Sequence, residues 1–471
     1  MFEDTRISPL YTDYYQLTMA QAYFLSGQHE NPACFDYFFR KNPFSGGYVL
    51  FAGLDLLVES LEQLAFSEDD LDYLNQLGFD KDFLNYLETF RFKGSLFGMR
   101  EGEVVFPTEP ILRVEGSLLE TQLIETLLLN GLNFQSLIAT KASRVRRSAG
   151  KRILSEFGMR RAQSFGALAA TRAAIIGGFD NTSNVMAGKM FNTTAAGTMA
   201  HSFVESYDNE LEAFRVYAKT FPDQCTLLVD TYNTLRSGLP NAIRVAKEMA
   251  ERGHRLKGIR LDSGDLAYLA KRARKVLDEA ALQYVKIVVS NQLDENVIKS
   301  LLDQEAPIDV FGVGTSLIIG RPDGAIDGVY KLASSGHAPR LKISENLQKI
   351  TLPGVKKVLR FFDKDNKFYA DCVVLADESV PVRMSHPFER EKSLELEGFR
   401  VEEVFHCHMK NGRATASPAS LETLRRRAGS RLEQLPDEHK RFHYPHIYKV
   451  GISDKLSDLR QQLLGKYQGF I

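Results

Sequence analysis

Between residues 226 and 313 the chain repeats one alternation, and few folds accommodate it. β-branched or aliphatic runs stand at 226–230, 256–261, 285–290 and 308–313, with helical patterns over 236–252, 265–281 and 294–304 between them. Strand and helix in regular alternation build right-handed βαβ units and a parallel sheet, either a barrel or a doubly wound sheet. Polar motifs fall just after each run: Asp230-Thr-Tyr-Asn, Asp262-Ser-Gly-Asp265, Ser290-Asn-Gln and Gly312-Val-Gly-Thr-Ser316. All four therefore emerge at the carboxyl ends of parallel strands, the face on which α/β barrels place their chemistry. Because they come from many strands and not from one crevice, the expected class is α/β and the expected architecture an irregular α/β barrel.

The flanks read differently. Asp13 to Met19 opens a helix with Thr12 or Asp13 as its cap, 34–39 is an aromatic-rich strand, and 54–90 is helical. Strands surround Pro107 and Pro110, an apolar helix covers 118–132, and a basic one covers 136–152, where the charge run reads as a solvated face. From about 341 charged, alternating strands take over, followed by an Arg/Glu-rich region at 416–442. The expected division is an N-terminal α/β domain over 1–130, a catalytic barrel over 131–340 and a segment over 341–471 that packs back on the N-terminal domain. His406-Cys407-His408 alternates along a strand and has no further ligands nearby, so no metal cluster of side chains is expected there.

His201 lies where a polar, glycine-spotted run ending at Gly197-Thr198 gives way to an amphipathic segment with Phe203, Tyr207, Leu211, Phe214 and Tyr217 at helical spacing. An imidazole at such a junction can be a base, a metal ligand or a nucleophile towards phosphate, or simply a capping or core histidine. Asp262 and Asp265 put two carboxylates at one strand end, suited to Mg²⁺, ribose hydroxyls or a developing cation, and Asp265 also suits a helix cap. Arg260 falls on the same side of its strand as Asp262, where its planar fork suits a ligand carboxylate or phosphate. In Phe311-Gly-Val-Gly-Thr-Ser316 the glycines let backbone N–H groups close around a phosphate, with a hydroxyl added by Thr315 or Ser316. Arg160 and Arg161 follow a further strand towards the same face. No Walker-type GxxxxGK[ST] occurs.

Composition removes several classes. Lys+Arg number 59 against 60 Asp+Glu, a net charge of −1, so no basic field invites nucleic acid. Four cysteines lie far apart without a CxxC pair, no apolar run has the length of a membrane span, and residues 1–16 carry acids without an apolar signal core. The expectation is a cytoplasmic enzyme without nucleic-acid or membrane partners.

Taken together, Thr12-Asp-Tyr-Tyr-Gln16, Phe157-Gly-Met-Arg-Arg-Ala-Gln163, Gly178-Phe-Asp-Asn-Thr-Ser-Asn184, Gly197-Thr-Met-Ala-His201, Ile259-Arg-Leu-Asp-Ser-Gly-Asp265, Phe311-Gly-Val-Gly-Thr315 and the Lys342–Lys356 stretch resemble the nicotinate phosphoribosyltransferases. The resemblance covers most of residues 10–360. It implies an irregular α/β barrel with a smaller α/β domain built from the N- and C-terminal segments, working as a homodimer with shared active sites. The implied reaction joins nicotinate to phosphoribosyl pyrophosphate, coupled to ATP with Mg²⁺ through a phosphohistidine at His201. By the same resemblance Tyr15 (from the partner subunit), Thr198 and Arg260 contact nicotinate. Gly314 and Thr315 grip the 5′-phosphate, Asp262 and Asn291 lie near the ribose and Mg²⁺, and Arg160, with Arg161 beside it as the alternative register, faces the pyrophosphate and pyridine. Ser183 is expected to select the pyridine, unless it merely caps a helix beginning near Asn184. Nicotinamide and quinolinate enzymes of the same fold, and a non-catalytic relative, are the alternatives. Quinolinate would demand more cationic residues, and retention of His201, Asp262, Asp265 and the Gly312–Thr315 loop speaks against a dead scaffold.

Overall fold

A computed structural model describes residues 7–344, 349–389 and 391–467. It divides into two compact units, Met1–Leu137 with Ala325–Ile471, and Ile138–Gly324. Among the described residues no helix is long and apolar enough to cross a membrane.

The second unit is built on six parallel strands: β1 (Ile153–Glu156), β2 (Asn181–Thr182), β3 (Thr226–Leu228), β4 (Gly258–Leu261), β5 (Lys286–Ser290) and β6 (Val310–Val313). They lie in the order β2-β1-β6-β5-β4-β3, every pairing parallel. The two end strands are short, and no ladder joins them among the described residues. Strands β4, β5 and β6 are buried along almost their whole length, as a parallel sheet covered on both faces requires. The helices between them bury one stripe each: Ala267, Ala270, Ala273 and Leu277 on Leu266–Glu279, and Ala242, Val245, Ala246 and Met249 on Leu239–Glu251. An Asp or Asn ends most of the loops and accepts from the first helical turn: Asn184 from Ala187 N, Asn209 from Glu212 N, Asp265 from Tyr268 N, and Asp294 from Asn296 N and Val297 N.

The first unit is mostly antiparallel. Its seven-stranded sheet interleaves Pro32–Phe39, Leu112–Ser117 and Ser95–Gly98 with Gly328–Ser335 and His406–Lys410 from the far end of the chain. A six-stranded sheet carries Lys356–Phe362 and Phe368–Leu375. There Arg360 is fully buried, paired with Asp371 and Glu103 and lying over the Phe368 ring at 4.2 Å. His408 Nε2 bonds Gly98 O at 3.0 Å, and burial pushes the imidazole down to about 4.

Several expectations need correction. Residues 325–340, placed with the barrel from the sequence, instead supply Gly328–Ser335, which pairs with Pro32–Phe39 from Ala33↔Ser335 to Phe39↔Gly328. The unit made from the two termini is the larger of the two, because it gathers a seven-stranded, a six-stranded and a two-stranded sheet among the described residues. The helix divided at 132–136 is continuous over Glu125–Ala149. The segment after His201 breaks into His201–Glu205 and Glu210–Thr220, with Asn209 capping the second. Part of the Lys342–Lys356 motif, Glu345 among it, lies outside the described residues.

Nor is the basic run a solvated face throughout. Lys141 and Arg144 are buried on Glu295, itself 1% exposed, with Arg144 Nε 2.9 Å from Oε1. Burial alone would raise the Glu295 carboxyl, but the two cations outweigh it and hold the group below the usual carboxylate range. This contribution is present above the unfolded carboxyl pKa and is lost as pH falls through the lower folded one. Glu295→Ala should therefore cost about 3–5 kcal/mol in urea denaturation at neutral pH. The gap to the parent protein should close only below about pH 4; an equal gap at pH 7 and pH 3 would refute the electrostatic account.

Candidate active site

Strand register decides which side chains meet. Ser290 pairs with Gly312 and Gly312 with Ser155, so these share one row; Arg260, opposite Val288 and Leu228, stands one step before Asp262 in the same direction. Arg260 Nε donates to Ser290 Oγ (2.9 Å), Nη1 to Thr198 Oγ1 (3.0 Å) and Met199 O (3.4 Å), and Nη2 to Asp262 Oδ1 (2.9 Å). Ser290 Oγ also donates to Asp262 Oδ1. One guanidinium thus ties β4, the end of β5 and the loop leading to His201. It lies over the Phe157 ring at 5.6 Å.

Gly312 fixes that ring. A Cβ there would stand 2.5 Å from Phe157 Cδ2, so no side chain fits without moving the aromatic face beneath Arg260. Phe157 in turn follows Glu156, whose buried carboxylate accepts from Gly158 N, from Thr171 Oγ1 (3.1 Å) and from Thr182 Oγ1 (2.5 Å). That saturated acid locks the ends of β1 and β2 together.

His201 is the first residue of its helix, half-exposed, at the loop-to-helix junction expected. Nδ1 lies 3.1 Å from Thr231 Oγ1. Nε2 lies 3.9 Å from both Asp230 Oδ1 and Asp262 Oδ2. The Asp230 side chain is buried; its Oδ2 accepts from Asp262 N (2.8 Å) and Ser263 Oγ (2.7 Å), while Oδ1 accepts no hydrogen bond among the described residues. A buried carboxylate oxygen facing an imidazole and a second carboxylate suits a protonated ring, while among the described residues no group of three or more His, Cys, Asp or Glu side chains is placed to hold a metal ion by itself. Asp230 and Thr231 were given no role from the sequence. The signal was the acid directly after a strand run, the same one that pointed to Asp262.

His201, Thr198, Arg260 and Asp262 therefore form one cluster. Asn291 and Gly314-Thr315 follow β5 and β6 on the same edge; Asn291 and Gln292 both take positive φ (84° and 49°), turning the chain sharply at the strand end. Arg160 and Arg161 sit exposed on a short turn after β1 and make no ion pair among the described residues. Asp265 caps the helix Leu266–Glu279, and no contact brings it to the cluster among the described residues. Ser183 is not a cap: Asn184 fills that role, and the Ser183 hydroxyl makes no hydrogen bond among the described residues. Tyr15 belongs to the other unit, where it is half-exposed on the helix Tyr14–Leu25; burial and the Glu125 and Asp13 carboxylates push its phenol up.

Comparison with known proteins identifies the family. Sequence models of the nicotinate phosphoribosyltransferase N-terminal domain, family and C-terminal domain match residues 10–133, 153–336 and 355–460. A nicotinate phosphoribosyltransferase of Bacillus subtilis (strain 168) is 46% identical over 96% of this chain and 94% of its own, and the Homo sapiens protein 35% identical over 97% and 96%. The crystal structure of human nicotinic acid phosphoribosyltransferase superposes with a TM-score of 0.87 at 33% identity, over 96% of this chain and 99% of that one. A nicotinate-nucleotide pyrophosphorylase from Pyrococcus furiosus shares the fold, with a TM-score of 0.72 at 22% identity over 90% and 95%. With the strand-end cluster in place and matches spanning nearly its whole length, the chain belongs to the nicotinate phosphoribosyltransferase family.

Proposed function

We propose that the chain transfers the phosphoribosyl group of phosphoribosyl pyrophosphate to nicotinate, forming nicotinate mononucleotide and pyrophosphate, and couples this to ATP hydrolysis through a phosphohistidine at His201. The observation that carries the coupling is the placement of His201 Nε2 at 3.9 Å from both Asp230 and Asp262 while Nδ1 is engaged by Thr231. With the Nδ1 proton donated to Thr231, the Nε2 lone pair attacks the γ-phosphorus of ATP and ADP leaves. The two carboxylates then stabilise the positive charge that builds on the ring.

In the glycosyl step the bond from the anomeric carbon to pyrophosphate breaks and a bond to the pyridine nitrogen forms, through an oxocarbenium-like state that neighbouring carboxylates favour. Asp262 and Asp230 would hold a Mg²⁺ ion, which supplies charge neutralisation for the polyphosphate that these acids would otherwise repel. Arg160 and Arg161, exposed beside β1, suit the leaving group, while Gly314, Thr315 and Asn291 suit the 5′-phosphate and ribose. Arg260 is already held by four acceptors, so it meets the nicotinate carboxylate as a pre-oriented, partly neutralised cation, and Ser183 is left to add a hydroxyl donor. The exposed Tyr15 suits a homodimer in which it completes the partner's site, and the composition suits the cytoplasm.

His201→Ala should abolish ATP hydrolysis and acid-labile phosphate labelling while keeping slow, ATP-independent transfer; undiminished labelling would move the phosphate elsewhere. In Ser183→Asp a second carboxylate about 4 Å from that of nicotinate costs on the order of 4 kcal/mol at an effective dielectric near 20. kcat/KM for nicotinate should fall steeply, with nicotinamide use unchanged or improved. An equal loss for both would make Ser183 structural. Co-expressing Tyr15→Ala and His201→Ala chains should restore part of the activity through hybrid dimers, and no gain over either alone would refute shared sites.

A further inference from the structure

A second link joins the same two segments that His201 and Thr231 connect. Nine residues past His201, Glu210 opens the helix Glu210–Thr220 and is only 4% exposed. Its Oε2 accepts from Ser237 Oγ (2.5 Å) and from Asn241 Nδ2 (2.9 Å). Ser237 belongs to a wide π-type turn, Thr234–Gly238, in which the N–H groups of Ser237 and Gly238 both reach Asn233 O at 3.0 Å. Such turns are uncommon and cluster at functional sites. Gly238 presses the turn onto the end of β3: a Cβ there would stand 1.9 Å from Val229 O, the residue before Asp230. The segments 201–210 and 229–241 are thus fastened at both ends, by His201–Thr231 at one and by Glu210–Ser237–Asn241 at the other.

The second fastening is costly in isolation. Glu210 Oε1 is buried and accepts no hydrogen bond among the described residues, and no cation pairs with the carboxylate there. Packing alone would be served as well by a neutral group. We propose that Glu210 is a positioning residue for His201: it fixes the angle at which the His201 helix meets the Asp230–Thr231 turn, and so holds the imidazole in one orientation against Thr231 and the two acids. The proposal rests on the role given to His201 above for its catalytic consequence only; the orientation itself can be read without activity.

The experiment uses the full-length chain labelled with ¹⁵N-histidine, with the His201 ring signals identified by their loss in His201→Gln. The parent protein should show separate Nδ1 and Nε2 shifts of one tautomer. Glu210→Gln, whose amide oxygen still accepts from Ser237 and Asn241, should keep them. Glu210→Ala should move them towards the averaged values of a free imidazole, and Ser237→Ala, which removes a single donor, should move them less in the same direction. ATP hydrolysis per folded molecule should fall roughly 10–100-fold in Glu210→Ala, recover to within a few-fold in Glu210→Gln, and leave the KM for nicotinate unchanged. A residue with only a structural role would lower the unfolding midpoint without moving the ring signals. Unmoved His201 signals in folded Glu210→Ala, or in Ser237→Ala should the former not fold, overturn the proposal, as does a Glu210→Gln chain that behaves like Glu210→Ala. Signals that move as expected while ATP hydrolysis stays constant in every variant would support the positioning and reject the phosphohistidine.

Discussion

The site depends on one guanidinium. Arg260 donates from all three of its nitrogens, to Asp262 on its own strand, to Ser290 at the end of the next and to Thr198 and Met199 in the loop before His201. A flexible cation in that place would leave the loop free to drift; a planar fork engaged on every edge does not. The cost is that the arginine has little donor capacity left for a ligand. Its face rests on the Phe157 ring, which follows β1.

A second constraint acts through carboxylates. Glu156, Asp230, Asp262 and Glu210 all stand at strand ends or helix starts in one unit, yet their environments differ. Glu156 is saturated by hydroxyls and a backbone N–H, so it serves as a fastener. The Asp230 side chain is buried, has one oxygen that accepts no hydrogen bond among the described residues, and faces His201. What distinguishes Asp230 from the equally under-satisfied Glu210 is its partner, since of the two only Asp230 stands beside the His201 ring, at 3.9 Å.

Strands β4, β5 and β6 of the parallel sheet were legible because they are rich in aliphatic residues and separated by Asx-capped helices, so periodicity and turn chemistry agreed. The expected strands 256–261, 285–290 and 308–313 fall within two residues of those observed. The ends of those strands gave Asp262 and the Gly312–Thr315 loop for the same reason. Partners 62 and 154 residues apart leave no local pattern: nothing near Arg260 announces Thr198, and nothing near Lys141 announces Glu295. Likewise Gly328–Ser335 looks like one more strand of the alternation, and only its antiparallel pairing with Pro32–Phe39 removes it from that sheet.

That pairing has a consequence for synthesis. Strand Pro32–Phe39 lies between Leu112–Ser117, which follows it closely in the chain, and Gly328–Ser335, which does not. At about 5–20 residues per second its second neighbour is not made until tens of seconds after the first. During that interval an aromatic strand, Cys34 to Phe39, has one row of unsatisfied backbone groups. The unit Ile138–Gly324 is meanwhile continuous in sequence and has all its strands on hand. On the ribosome the sheet bearing the strand-end cluster therefore has every partner before its companion does. The chain's exposure to aggregation in that window lies in the terminal unit, outside the sheet that carries the strand-end cluster.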